Sequence, residues 1–229
     1  MTLETAERWL YKTLNYRFDD SGLFRQALTH RSAAGANNER LEFLGDAILG
    51  FVISDAIYSA RLNASEGDLS RLRSSLVKDS SLATLAADLG IGEHLILGSG
   101  ESKSGGHRRE SILADALEAL FGAIFLDSGI ESARDIIQQV FDARIDSLPD
   151  AADLRDPKTR LQEWLQARGM ALPIYDLVKV MGEAHSQRFE VTCTVEVIED
   201  VTLGTSTTRR KAEQKAAREM LSILQQGRA

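Results

Sequence analysis

Residues 38–50 read Asn-Glu-Arg-Leu-Glu-Phe-Leu-Gly-Asp-Ala-Ile-Leu-Gly. Leu41, Phe43, Leu44, Ala47, Ile48, Phe51 and Val52 suit one long helix and, at about 100° per residue, cover most of its circumference. A helix that is apolar nearly all round is expected to be buried. Yet Glu39, Glu42 and Asp46 fall at i, i+3 and i+7, within a wedge of roughly 60°. Acids placed this way repel one another, and each loses water. Either they are protonated or a cation compensates them.

The same tension recurs further along. Ser111 to Asp127 is a second strongly apolar helix, whose only charges between Ile112 and Leu126 are Asp115 and Glu118. These are i and i+3 and project from one face. Two such helices can meet as a four-carboxylate cage of Glu42, Asp46, Asp115 and Glu118. Hard divalent cations take oxygen ligands, and Mg²⁺ keeps waters able to react. The plainer alternative is a set of surface acids paired with Arg40, Arg71, Arg73 or Arg109, since buried acids are rare. Two nearly charge-free helices breaking pattern in the same way favour the cage. His30, His94, His107 and His185 are scattered, so no His or Cys cluster has metal spacing.

The surrounding chain has 229 residues, 43% apolar and 27% charged, as in an ordinary globular protein. No apolar run approaches 18 residues, so no membrane span is expected, and the charged N-terminus lacks a signal-peptide core. Cys193 is the only cysteine, which points to a reducing compartment and a cytoplasmic location. The net charge is −7, and it divides unevenly. Residues 1–154 carry 15 Lys+Arg against 24 Asp+Glu, a net −9; residues 155–229 carry 12 against 10, a net +2. An acidic front and a slightly basic back suggest two modules.

Helical spacing marks residues 2–14, and Asp20 or Ser21 can cap a second helix to His30. Residues 31–37 read as a loop. After the acid-striped helix, Asp68 opens a helix through Leu76, and Asp79 begins another that Gly90 ends. Ser99 to Gly106 reads as a flexible loop. Gly129 breaks the second apolar helix, and one more runs from Ile130 to Ile145. No strand pattern precedes residue 148. Residues 148–155 read as a linker. Beyond it, a helix from Pro157 to Gly169 precedes three strands. They are Ile174–Met181, the alternating run Phe189 to Val197, and Val201–Thr205. A last helix spans Thr208 to Gln225. The expected fold class is α+β multidomain, an all-α unit followed by an α-β-β-β-α unit.

Periodicity does not name a substrate, but motifs do. The stretch 38–46 resembles the signature of the ribonuclease III family, as do Gly105 to Leu120 and Glu66-Gly67-Asp68-Leu69-Ser70-Arg71. The likeness spans nearly the whole chain and implies domains at 1–147 (endonuclease), 148–155 (linker) and 156–226 (double-stranded RNA-binding). It implies an endoribonuclease that cuts double-stranded RNA with Mg²⁺, Mn²⁺ being a plausible substitute, and leaves 5′-phosphate and 3′-hydroxyl ends. Implied substrates are ribosomal RNA precursors and structured messages. The implied metal ligands are Glu42, Asp46, Asp115 and Glu118, with Asp46 and Glu118 catalytic, and the accessory acids are Glu39 and Glu66. The resemblance also implies a homodimer. The apolar face Phe43-Leu44-Ala47 can serve either that dimer or ordinary core packing. No membrane partner and no small-molecule substrate are expected.

The back unit resembles a double-stranded RNA-binding domain, and its opening Asp156 to Gln166 is similar to the bacterial ribonuclease III version. Implied RNA contacts are Thr159, Gln162 and Glu163, the loop Gly182-Glu183-Ala184-His185, and Arg209, Arg210 and Lys211. Basic residues at a helix N-terminus suit phosphates, and minor-groove contacts read RNA shape. One departure is Glu213, where the general domain pattern has a Lys. The competing function is a non-catalytic regulator that binds duplexes without cutting; six intact acids favour the enzyme.

Overall fold

The computed structural model describes residues 2–149, 155–183 and 186–227. The chain divides into two compact units, 1–151 and 152–229. The architecture is α+β, helical first and then α-β-β-β-α. Of the linker expected at 148–155, residues 150–154 lie outside the described residues.

The first unit contains α1 (Leu3–Leu14), α2 (Ser21–Ala27), α3 (Glu39–Ala60), α4 (Glu66–Val77), α5 (Asp79–Asp88), α6 (Ser99–Lys103) and α7 (Glu110–Asp146). Its centre is the pair α3 and α7. Leu49, Val52 and Ile53 of α3 and Leu117, Leu120, Phe121 and Ile124 of α7 are fully buried. The two backbones touch where they cross. A Cβ on Gly45 would fall onto the Glu118 carbonyl, and one on Gly122 onto the Leu41 carbonyl. Only glycine allows that approach, and it is what brings Glu42 of α3 level with Glu118 of α7. Beyond the crossing, Gly129 interrupts α7 with φ 82° and ψ −177°, a conformation open to glycine alone.

Several sequence expectations are corrected here. The acid-striped helix is not buried all round: Phe43 is 81% exposed, and Ala47, Phe51 and Tyr58 are exposed as well. Its apolar circumference is wider than the contact that α7 can offer. By length and composition α3 is also apolar enough to cross a membrane, because beyond Glu42 its only charges are Asp46 and Asp55. Its buried residues pack instead within this unit. The fourth helix starts at Glu66 rather than Asp68, because the Ser65 hydroxyl caps it by accepting from the Asp68 N–H at 3.2 Å. The second helix stops at Ala27, and Thr29 then bridges to Ile96. Residues 99–106 are not a plain loop. They hold α6 and the start of a 3₁₀ turn at 106–108, pinned by a 2.7 Å ion pair between Glu101 and Arg109. Glycine and serine signal a break locally, but tertiary contacts override that preference.

The second unit contains α8 (Pro157–Gln166), β1 (Ile174–Met181), β2 (Arg188–Thr194), β3 (Thr202–Ser206) and α9 (Arg209–Gln226). The sheet is antiparallel in the order β1-β2-β3, with a register shift between Leu177 and Lys179. Helices α8 and α9 cover one face through Leu161, Leu165, Cys193, Val195, Ala216, Met220 and Leu224. α8 stops three residues short of Gly169. β2 also ends earlier than its alternation suggests, so Val195 still reaches the core while Val197 is exposed.

Candidate carboxylate cluster and nucleic-acid interface

Glu42 lies in the first turn of α3, and Asp115 and Glu118 lie one turn apart on α7. Carboxylate oxygens from all three lie within 4.8 Å of one another, each side chain half-buried. Burial pushes Glu42 and Asp115 above the ordinary carboxylate range. For Glu42 the neighbouring charge of Asp115 adds to this; for Asp115 the charge of Asp79 does. Glu118 is pushed up to about 8, first by burial and then by the charges of Asp46, Glu42, Asp115 and Asp79. Among the described residues no Lys or Arg pairs with Glu42, Asp46, Asp115 or Glu118. Three of the four arginines offered as alternative partners are engaged elsewhere. Arg71 holds Asp68 at 2.7 Å, Arg109 holds Glu101, and Arg73 donates to the Ser54 hydroxyl at 3.1 Å.

The four-residue cage of the sequence reading is thus three residues plus a neighbour. Asp46 is exposed and falls outside the close group, although its charge bears on Glu118 more than that of any other acid. Glu39 sits at the rim, 3.5 Å from Arg31 and within reach of the Asn37 side chain. Glu66 is not with the cluster. It accepts from the Ser70 hydroxyl at 3.0 Å and lines a groove of about 470 Å³ with Phe51, Tyr58, Leu69 and Arg73. Asp79, His30 and Arg31 were not singled out by pattern. Asp79 reads as an ordinary first-turn acid, and the other two flank a polar loop, so only the folded chain turns their charges toward Asp115.

The fit to a metal ion rests on this donor set. Half-buried carboxylates without cations repel one another, and Glu118 keeps a proton near neutral pH instead. A hard divalent cation would supply the missing positive charge, and oxygen donors match it. Sulfur is not in competition, because Cys193 is buried in the second unit, where burial raises its thiol pKa.

In the second unit Thr159, Gln162 and Glu163 are exposed on α8, and Glu163 accepts an ion pair from Arg155 at 2.7 Å. At the start of α9 the Thr208 hydroxyl caps the helix by accepting from the Lys211 N–H. Arg209, Arg210 and Lys211 follow, all exposed. Arg209 donates through Nε to Glu213 at 2.9 Å, and Arg210 approaches Asp156 at 3.8 Å. His185 and Ala184 lie outside the described residues, and Gly182 before them has φ 89°.

Comparison with known proteins adds the family. Residues 20–144 match the family described as ribonuclease-III-like, and residues 157–224 match the double-stranded RNA binding motif. A ribonuclease 3 of Nitrosococcus oceani is 54% identical over 217 residues, 94% of this chain and 93% of that protein. The crystal structure of the nuclease domain of a ribonuclease III from Campylobacter jejuni superposes with a TM-score of 0.59 at 40% identity. It covers 62% of this chain and 97% of that one. A second structure of that domain, concerned with flexibility in its region of dimer formation, gives a TM-score of 0.58 at 42% identity. It covers 59% of this chain and 95% of that one.

Proposed function

Because the chain belongs to the ribonuclease III family and is an endoribonuclease acting on double-stranded RNA, we propose that it hydrolyses duplexes with Mg²⁺, Mn²⁺ serving as a substitute, and leaves 5′-phosphate and 3′-hydroxyl ends. One observation carries this reading: Glu42, Asp115 and Glu118 converge within 4.8 Å, with no Lys or Arg ion pair to them among the described residues. These three residues hold the ion, and Asp46 joins them from the exposed side. When bound, the ion polarises a phosphoryl oxygen and acidifies water. The protein's part is to fix the oxygens. The Gly45–Gly122 crossing sets their spacing, and half-burial strengthens each charge by excluding water. Glu118 must give up its proton before the set is complete, so metal affinity rises with pH. Glu39 acts at the rim, where RNA or the second protomer is the neighbour.

The working form in this proposal is a homodimer. Phe43, Ala47, Phe51 and Tyr58 leave an apolar stripe on the surface of α3, beyond what scattered exposed residues explain. A two-fold pairing covers it and supplies one site for each strand of the duplex. It also gives Glu66 its accessory place, since within one chain that residue lines the groove beside Phe51 and Tyr58. Phe43→Asp is expected to shift the protein from dimer to monomer in light scattering; a dimer that survives it rules out this face.

RNA is contacted by Thr159, Gln162 and Glu163, by the 182–185 loop, and at the start of α9 by Arg209, Arg210 and Lys211, of which Arg209 is shared with Glu213. The proposed substrates are ribosomal RNA precursors and structured messages, and the proposed location is the cytoplasm. The deciding experiment incubates a labelled duplex with Mg²⁺ or EDTA, using the wild type and Glu118→Gln. Cutting is expected only from wild type with metal. Binding without cutting under every condition leaves the regulator reading in place instead.

A further inference from the structure

Glu213 stands one turn after Arg209 on α9, and its side chain is 13% exposed. Its two oxygens take two different cations. Oε2 accepts from Lys158 Nζ at 2.7 Å, and Oε1 accepts from Arg209 Nε at 2.9 Å. Lys158 is held a second time, 4.4 Å above the Tyr175 ring. One carboxylate therefore engages a cation from each of the two helices that carry the proposed RNA contacts. Lys158 directly precedes Thr159, and Arg209 opens α9. Burial by itself would favour the neutral acid. The bonds from Lys158 and Arg209 prevail and hold Glu213 below the ordinary range.

The neighbouring cations are freer. Arg210 is 82% exposed and only 3.8 Å from its acid. Lys211 is exposed and has no ion pair among the described residues. Availability to an incoming phosphate thus falls from Lys211 through Arg210 to Arg209. A cation held within hydrogen-bonding distance of a carboxylate brings that negative charge along with it. Its net attraction for a phosphate is small for that reason.

We propose that Glu213 is an affinity-limiting residue for double-stranded RNA: by holding Arg209 and Lys158 it reduces the number of phosphates this unit neutralises. The proposal rests on the reading that α9 begins on the RNA. Affinity and its salt dependence both follow the number of neutralised phosphates, because each one releases counterions. Salt dependence is therefore the readout that a merely structural role for Glu213 does not move.

The test uses the full chain with EDTA, so that nothing is cut, and a labelled blunt RNA duplex titrated across about 50 to 200 mM salt. Glu213→Gln keeps the shape and removes the charge. It is expected to bind about three- to tenfold tighter at low salt, with the log–log salt slope steeper by about one. Unchanged or weaker binding at an unchanged slope overturns the proposal. Lys158→Gln gives a second reading that holds even if the first variant fails to fold. It is expected to leave the slope as it is, since Lys158 is already engaged; a slope shallower by about one puts Lys158 on a phosphate and also overturns the proposal. Lys211→Ala separates the proposal from its premise. If that variant binds like wild type, α9 does not begin on the RNA, whatever Glu213 does.

Discussion

In the first unit Glu42, Asp115 and Glu118 meet with no Lys or Arg in ion-pair range among the described residues, and burial together with the neighbouring acids drives Glu118 up to about 8. In the second unit Glu213 is less exposed than most surface acids, yet two cations hold it below its ordinary range. The same side-chain chemistry, partly buried in both units, ends in opposite states. Burial alone therefore does not mark a functional acid. What distinguishes the first set is that the fold brings like charges together with no Lys or Arg ion pair to them among the described residues. Such an arrangement is costly without a ligand, whereas the paired acid of α9 is satisfied as it stands.

The largest effect that sharpens this contrast comes from Glu118→Gln. Removing one preorganised charge-stabilising group costs on the order of a hundred- to a thousandfold in rate. Duplex cleavage in Mg²⁺ is the measurement, and wild-type turnover by the variant would erase the distinction between the two acid sets. Next comes the crossing that assembles the cluster. Gly122→Val places a side chain against the Leu41 carbonyl, and overpacking of this kind costs about 1–3 kcal/mol, with a backbone contact at the upper end. Urea unfolding measures it. A variant as stable as wild type would mean that α3 and α7 can separate without loss.

A smaller effect is the pH dependence of the metal-free protein. The pKa of Glu118 is raised in the folded state, so its contribution to stability is present below the ordinary glutamate range and is lost as pH rises through about 8. The melting temperature without metal should therefore fall over that interval. Adding Mg²⁺ should recover most of the fall, because a ligand that binds only the folded state stabilises it. Glu118→Gln should flatten the curve; an identical slope in the variant would assign the effect to other groups. The smallest expected change is on the other side of the comparison. Lys211→Ala removes one freely exposed cation and should weaken duplex binding several-fold, with a salt slope shallower by about one.

Much of this is legible in the sequence. Asp115 and Glu118 stood out because they interrupt an apolar helix, and the spacing of Glu42 matched them. The α-β-β-β-α order of the second unit follows from a change of period after Pro157, and Ala212, Ala216, Ala217, Met220, Leu221 and Leu224 are buried as their spacing required. Other features were not legible. Periodicity marked Phe43 and Ala47 as apolar helix positions without deciding between core and dimer face, because how much of a helix is covered depends on the neighbours it meets. Residues 99–106 looked featureless because the Glu101–Arg109 ion pair joins positions that carry no local signal.

The sequence by itself determined the order of elements, the two-unit plan and the acids that can take part, because helix and strand periods and short motifs are properties of adjacent residues. Only the tertiary structure decided how those acids are partnered. Asp46 stands outside the close group, Asp79 joins the field around it, Glu66 lines another groove, and Glu213 holds two cations. Each of these depends on side chains distant in sequence arriving within a few ångströms. Electrostatic energy falls with distance in space and takes no account of separation along the chain.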